Sequence, residues 1–252
     1  MSEVAEVEAD ASNEASGEEP AEGLSDEPAE GNAARRLKIT EIFYSLQGEA
    51  DTVGFPTVFV RLTGCPLRCQ FCDTAYAFHG GEWFTEDAVL AKVRAFVSPG
   101  EAGSRYVCVT GGEPLAQKNC LPLLSALCDA GYRVSIETSG AMPIGNVDAR
   151  VIRVVDVKTP GSGEERRNRY ADLDLLRADE QIKFVICDRA DYEWSRAKLA
   201  ELSLPARCTV LFSPSAEQLS PRVLADWILE DRLRVRFQMQ LHKVLWGSVP
   251  GK

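Results

Sequence analysis

The feature that most restricts the fold is a recurrent punctuation, in which short apolar runs each stop abruptly at glycine or small polar residues. Residues 57–62 run into Gly64-Cys65, 106–110 into Gly111-Gly112, and 132–137 into Thr138-Ser139-Gly140. Residues 151–157 stop at Lys158-Thr159-Pro160, 181–186 at Cys187-Asp188, and 208–212 at Ser213-Pro214. Between them lie stretches of helical period: 85–97 with Thr85 as N-cap, 121–130 stopped by Gly131, 190–202, and 221–232 with Pro221 in the first turn. An opening strand at 37–47 and a closing one at 235–241 bracket the series. Strands alternating with helices through short connections predict a parallel sheet with right-handed crossovers. Six or so strands are too few for a closed eightfold barrel. The expected fold class is therefore α/β, a partial (incomplete) TIM-like barrel whose ligand site lies at the C-terminal strand ends.

Charge divides the chain in two. The 252 residues carry a net charge of −10, yet residues 1–34 hold eleven acids and no Lys or Arg, which leaves the remainder near +1. A near-neutral body argues against a nucleic-acid surface. The acidic segment has three aliphatic residues besides alanine and Met1 (Val4, Val7 and Leu24) and no aromatic, too little apolar area to offset the entropy of ordering. Residues 1–36 are expected to be a disordered tail and 37–252 a single core domain. The segment has neither the basic start and apolar centre of a secretory signal nor the arginines of a mitochondrial presequence. No run reaches the roughly 18 apolar residues of a membrane span. A cytoplasmic protein is expected.

Eight cysteines are unevenly spread, with three inside eight residues, Cys65-Pro66-Leu67-Arg68-Cys69-Gln70-Phe71-Cys72. The other five stand singly in apolar stretches, as buried thiols in a reducing compartment do. Three thiolates on one CxxxCxxC loop suit three corners of a cubane iron–sulfur cluster with the fourth iron open. A structural zinc site needs four closed ligands, and no second Cys or His pair is in place. A zinc-stabilised binding module without catalysis is the alternative from another class.

A strand leading into CxxxCxxC with Phe71 before the last cysteine, followed by a strand ending in Gly111-Gly112-Glu113-Pro114, resembles the radical S-adenosylmethionine superfamily. Further stretches narrow the likeness: Ser45-Leu46-Gln47-Gly48-Glu49, Phe59-Val60-Arg61-Leu62, Cys72-Asp73-Thr74, Glu137-Thr138-Ser139-Gly140, the run from Asp156 to Gly163, and Gln240-Leu241-His242-Lys243. Over 37–247 the chain resembles the 7-carboxy-7-deazaguanine synthases. The resemblance implies conversion of 6-carboxy-5,6,7,8-tetrahydropterin to 7-carboxy-7-deazaguanine with loss of ammonia, a ring contraction in queuosine biosynthesis begun by a 5′-deoxyadenosyl radical. It implies a [4Fe-4S] cluster, S-adenosylmethionine and Mg²⁺ as cofactors, a flavodoxin-like or other one-electron donor, and a homodimer. A glycyl-radical activase shares the cysteine loop and is the nearest alternative.

Residue roles follow from the likeness. Cys65, Cys69 and Cys72 would hold the cluster and Thr74 the Mg²⁺, although by sequence alone Thr74 reads as a loop-capping hydroxyl. Leu46, Gln47, Gly48, Arg61 and Thr110 would bind substrate, with Arg61 suited to a bidentate grip on its carboxylate. Gly112, Ser139, Asp156, Val157 and Lys158 would receive S-adenosylmethionine. Gly111 and Gly112, lacking Cβ atoms, would let backbone approach a bound molecule, and Glu113 would accept from the cofactor's ammonium. No side chain is assigned a catalytic role beyond cofactor and cluster, His242 included. The C-terminal end around Pro250 is a possible neighbour of the pterin.

Overall fold

The computed structural model describes residues 35–97, 105–216, 218–247, 249 and 251. The expectations for residues 1–34 and for Pro250 lie outside these.

Nine strands form one sheet in the order β3-β1-β2-β4-β5-β6-β7-β8-β9. They are β1 (Arg36–Leu46), β2 (Pro56–Leu62), β3 (Glu82–Thr85), β4 (Tyr106–Gly111), β5 (Arg133–Thr138), β6 (Ile152–Asp156), β7 (Gln181–Ile186), β8 (Thr209–Pro214) and β9 (Arg236–Phe237). From β2 through β4 to β9 every neighbouring pair is parallel. The sheet does not close: β3 and β9 are its two ends. It is an open α/β barrel, as the punctuation required.

Residues 57–60 of β2 and 107–110 of β4 are buried without alternation, the mark of parallel strands covered on both faces. The outer cover comes from α1 (Glu86–Phe96), α2 (Cys120–Asp129), α3 (Arg189–Glu201) and α4 (Pro221–Glu230). Thr85 caps α1 by accepting from the Ala88 N–H at 3.2 Å, as its position predicted. In α2 the buried set is Cys120, Leu123, Leu124 and Leu127, spaced at one helical face. Tyr192 of α3 packs edge-on against Phe212 and donates its hydroxyl to the Trp227 carbonyl, tying α3 to α4.

Three expectations are corrected. The opening strand is not parallel: β1 pairs antiparallel with both β2 and β3, because the short 47–55 connection returns the chain as a hairpin, whereas a parallel return needs a crossover. β3 itself, four residues long, carried too weak an alternation to be seen. The closing strand shrinks to two residues and gives way to a helix, α5 (Leu241–Trp246). The Leu241 N–H donates to the Gly48 carbonyl, and Lys243 pairs with Asp73 at 2.8 Å. These contacts pull the chain off the sheet edge and over the strand ends.

Candidate functional site

The C-terminal ends of the strands surround one open cavity of about 1380 Å³ including its mouth. The predicted residues Leu46, Gln47, Gly48, Arg61, Cys65, Cys69, Cys72, Thr74, Thr110, Gly112, Ser139, Asp156 and Lys158 all line it. Val157 does not. Its side chain is in the core and its N–H donates to the Lys183 carbonyl at 2.8 Å.

The cysteine loop leaves β2 through Gly64 and is held from several sides. Gly64 donates to the Ala77 carbonyl and its own carbonyl accepts from Glu113 N, Gln70 N donates to the Ser162 carbonyl, and the Arg68 guanidinium bonds the carbonyls of Cys65 and Leu67. Pro66, Arg68 and Gln70 face outward, while the three thiols are half-buried along the cavity. Burial pushes the Cys65 thiol up against the opposing Leu67 N–H, and pushes Cys69 up to about 11 against the opposing charge of Lys158. Loading of metal must therefore displace protons. Among the described residues no three of His, Cys, Asp and Glu gather closely enough for a single ion. A structural zinc site needs four closed ligands, whereas one thiol for each of three irons fits a cubane.

The glycine-rich end of β4 has a steric reason within the fold, in addition to the ligand approach its sequence suggested. A Cβ on Gly111 would lie 2.5 Å from the Leu62 carbonyl oxygen, and one on Gly112 would lie 2.3 Å from the Gly64 oxygen and 2.7 Å from Cys65 Cβ. The space is taken by the cysteine loop itself. Glu113 is fully buried and accepts from Leu115 N, Thr138 Oγ1, Ser139 N and Ser139 Oγ. It fastens the end of β4 to the end of β5, and the Ser139 hydroxyl is spent on it.

On the other wall, Arg61 donates from Nε to Glu41 at 2.7 Å and lies beside the rings of Phe43 and Tyr76. Among the described residues its terminal nitrogens have no hydrogen-bond partner, so the outer fork remains for an anion. The Gln47 amide donates to Glu137 Oε1 and accepts from Glu49 N, and the Thr110 hydroxyl, turned inward by the pleat, donates to Glu137 Oε2. Thr74 begins a short 3₁₀ turn without capping it, and its hydroxyl lies 3.7 Å from Cys72 Sγ. The capping role read from sequence is absent.

The floor is a chain of buried charges. Lys158 lies 3.0 Å from Asp156 Oδ2, and Lys183 lies 2.6 Å from Glu49 Oε2 and 3.8 Å from the same Asp156 oxygen. Burial works against both ammonium charges, and the carboxylates outweigh it: Asp156 for Lys158, and Glu49 followed by Asp156 for Lys183. Both lysines thus sit above the ordinary value. Asp156 lines the cavity, and its Oδ1 is buried without a hydrogen-bond partner among the described residues.

Sequence reasoning missed Glu49, Glu137, Lys183 and His242 as cavity residues. Glu137 was legible in principle, since it sits near the C-terminal end of β5 and alternates with Ile136 in burial, whereas Lys183 lies mid-strand in β7, away from the strand ends where ligand residues were sought. His242 arrives by α5, which the pattern did not predict. The Thr159-to-Gly163 stretch lies beneath the cysteine loop: Gly161 N and Thr159 Oγ1 donate to Asp191 of α3, and Ser162 supports Gln70. The Cys187-Asp188 turn is an ordinary one, with Asp188 capping α3.

The Radical SAM superfamily pattern matches residues 59–155. The crystal structure of QueE from Escherichia coli superposes with a TM-score of 0.62 at 24% identity, covering 82% of this chain and 95% of that one, which establishes a shared fold. The 7-carboxy-7-deazaguanine synthase of Koribacter versatilis is 43% identical over 224 residues, covering 83% of this chain and 97% of the relative. That of Chlorobaculum tepidum is 45% identical over 214 residues, covering 84% and 94%. With the cysteine loop, the open barrel and identity at this level over nearly the whole of each relative, the chain belongs to the 7-carboxy-7-deazaguanine synthase family of the radical SAM superfamily.

Proposed function

We propose that this chain converts 6-carboxy-5,6,7,8-tetrahydropterin to 7-carboxy-7-deazaguanine with loss of ammonia, a step of 7-deazapurine biosynthesis. The observation that carries the reading is the convergence of three thiols, the Arg61 fork and the loop after β1 on one cavity. When bound, a [4Fe-4S] cluster with S-adenosylmethionine supplies a carbon-centred radical for hydrogen abstraction, and the protein binds, orients and excludes water.

Cys65, Cys69 and Cys72 would hold the cluster, with the Lys158 ammonium near enough to Cys69 to favour its thiolate. Gly112, Ser139, Asp156, Val157 and Lys158 would receive S-adenosylmethionine. In this reading the unpartnered Asp156 oxygen accepts from a cofactor donor, Lys158 faces the cofactor's carboxylate, and Gly112, Ser139 and Val157, whose N–H groups are taken within the protein, offer backbone carbonyls. Arg61 would grip the pterin carboxylate, with Glu41 fixing its orientation. Leu46 and Gly48 would meet the pterin edge through backbone, while Gln47 and Thr110 would hold the Glu137 carboxylate in place beside it. Thr74 would give one oxygen to Mg²⁺, the remaining sites falling to water and substrate oxygens.

The test is anaerobic reconstitution with iron and sulfide, followed by S-adenosylmethionine, a reductant, Mg²⁺ and the carboxytetrahydropterin. Carboxydeazaguanine is expected. Its absence with intact cluster, or a colourless protein holding one zinc and no acid-labile sulfide, would overturn the assignment.

Four further parts belong to this reading. The catalytic unit spans residues 37–252, with the acidic segment outside it, so deletion of 1–34 is expected to leave turnover intact. The reductant in the cell is a flavodoxin-like one-electron donor. The protein acts as a homodimer in the cytoplasm, with no nucleic acid or membrane as partner. Among the described residues no helix is long and apolar enough to cross a bilayer.

A further inference from the structure

The opening and closing strands of the barrel do not meet through backbone pairing, since β1 and β9 lie toward opposite ends of the sheet. The gap between them is crossed by the loop after β1. Its Ala50 is buried and held at φ +63°, in the left-handed region that a residue with a Cβ rarely adopts. Both polar groups of that residue's backbone are bonded by the β9 segment, the carbonyl accepting from Val53 N at 3.4 Å as well. The Ala50 N–H donates to Gln238 Oε1 at 2.9 Å, and Arg236 donates to the Ala50 carbonyl at 3.3 Å and to Asp51 Oδ1 at 2.8 Å. Gln238 is itself fixed, because its N–H donates to the Phe212 carbonyl of β8.

The residues just before Ala50 are the ones that line the cavity. Gln47, Gly48 and Glu49 do so, Glu49 pairs with Lys183, and Gly48 accepts from Leu241 N. Where Ala50 turns decides where Glu49 and Gly48 point. The Gln238 side chain is 5% exposed in total and its amide nitrogen has no partner among the described residues. Burying an unpartnered N–H is unfavourable, and a leucine would fill a similar volume without it. What the amide provides that leucine lacks is the one acceptor for Ala50.

We propose that Gln238 is a positioning residue for the pterin: its amide oxygen holds Ala50 in the left-handed turn and so sets Gly48 and Glu49 against the substrate. The claim rests on the functional reading above only for the identity of that substrate. The latch is a property of the fold.

The experiment compares full-length reconstituted protein with Gln238→Leu, Gln238→Glu, and the double variant Gln238→Leu/Ala50→Gly. Three quantities are read: amide exchange over residues 47–54, KM for the carboxytetrahydropterin, and binding of S-adenosylmethionine. Gln238→Leu is expected to speed exchange of the Ala50 amide and raise KM about tenfold, with cofactor binding and cluster content unchanged. Gln238→Glu keeps an acceptor and should hold both near the parent. Glycine at 50 enters the left-handed region without penalty, so the double variant should recover most of the lost KM. Exchange unchanged in Gln238→Leu would overturn the latch. Faster exchange with KM unchanged would overturn the positioning role. A rise in KM accompanied by equal loss of cofactor binding would overturn it too, by marking general damage. If the parent turns over no pterin, the functional reading fails, and the exchange data still decide the latch.

Discussion

Lys183 of β7 and Glu49 of the loop after β1 form an ion pair, 2.6 Å between Nζ and Oε2, across the inside of the open barrel. Both side chains are nearly closed off from solvent, at 13% and 9% exposure. Replacing Lys183 by Met would leave Glu49 without its cation, while Asp156 keeps Lys158 at 3.0 Å, and breaking a buried pair by removing one partner costs about 3–5 kcal/mol. Lys183→Met is expected to fall toward the lower end of that range, because the cavity admits water. The sign of the pH effect follows from the raised ammonium value. A lysine whose folded value is raised contributes stability fully below its unfolded value of about 10.4, and loses it as pH rises through the folded one. Denaturant titrations at pH 8 and pH 11 should show the parent weakening more than Lys183→Met. Equal weakening would disprove the pair's contribution.

Glu113 is the second case in which a motif residue has a role its position did not advertise. Its carboxylate receives four different donors from β5 and the turn after β4, with no exposure to solvent. Glu113→Ala leaves Leu115 N and Ser139 N unpaired, at about 1–3 kcal/mol for each buried orphan. The expected result is a clear drop in melting temperature. The milder Glu113→Gln, which keeps an acceptor oxygen, should bind S-adenosylmethionine as the parent does. Weakened cofactor binding in Glu113→Gln at unchanged melting temperature would return the residue to the cofactor.

The architecture was legible because it rests on repeated local signals. Strand ends at Gly111, Thr138 and Asp156, and caps such as Thr85, are chemical statements the chain makes locally. Almost every predicted site residue lines one cavity for the same reason, since each was read at a strand end. What escaped depended on long-range contacts. α5 forms where Leu241 finds the Gly48 carbonyl and Lys243 finds Asp73, partners about 190 and 170 residues away in sequence. Nothing in the run from Val235 to Leu241 distinguishes a long strand from a short one that must leave the sheet. The fates of Glu113, Gly112 and Val157 were hidden for a related reason: a motif shows that a residue type is needed, but not whether a ligand or another piece of backbone needs it.

Gly112 makes that distinction measurable. A methyl group there would press on the Gly64 oxygen and Cys65 Cβ at 2.3 and 2.7 Å, both in the loop that carries the thiols. These are a backbone oxygen and a carbon bonded directly to backbone, which cannot swing aside as the end of a flexible chain would. Gly112→Ala is therefore expected to displace Cys65 and reduce iron and acid-labile sulfide in anaerobically reconstituted protein to well under half of the parent. Full cluster content with weakened S-adenosylmethionine binding would instead place the glycine's role at the cofactor.

His242 packs on Gly48, where a Cβ would meet its Nδ1 at 2.2 Å. Burial lowers its pKa from the ordinary value, with Lys243 adding to that direction and Glu49, Asp73 and Glu137 opposing it. A histidine whose folded value is depressed is neutral in the native state, so its contribution is present above the unfolded value of about 6.5 and lost as pH falls toward the folded one. Thermal melts of the parent between pH 7.5 and 5 should show a decline that is smaller in His242→Asn. The same decline in both would assign the acid sensitivity to other groups.

Arg61 tests the substrate side most directly, because charge and geometry can be separated there. Glu41 occupies Nε, and the rings of Phe43 and Tyr76 flank the guanidinium, which leaves two terminal nitrogens in a fixed plane at the cavity wall. Lysine would keep the positive charge and the Glu41 partner but lose the planar fork. Hydrogen bonds to a charged group contribute about 1.5–3 kcal/mol, so Arg61→Lys is expected to lower kcat/KM for the carboxytetrahydropterin about 10- to 100-fold. Since a carboxylate grip acts in ground state and transition state alike, most of the loss should appear in KM. Cluster content and S-adenosylmethionine binding should stay near the parent, because neither the thiols nor Asp156 depends on this side chain. A fall in kcat at unchanged KM would show that Arg61 acts on the rearranging ring and not on the carboxylate. A loss of cluster would show that it supports the cysteine loop, and either result would remove it from the substrate grip.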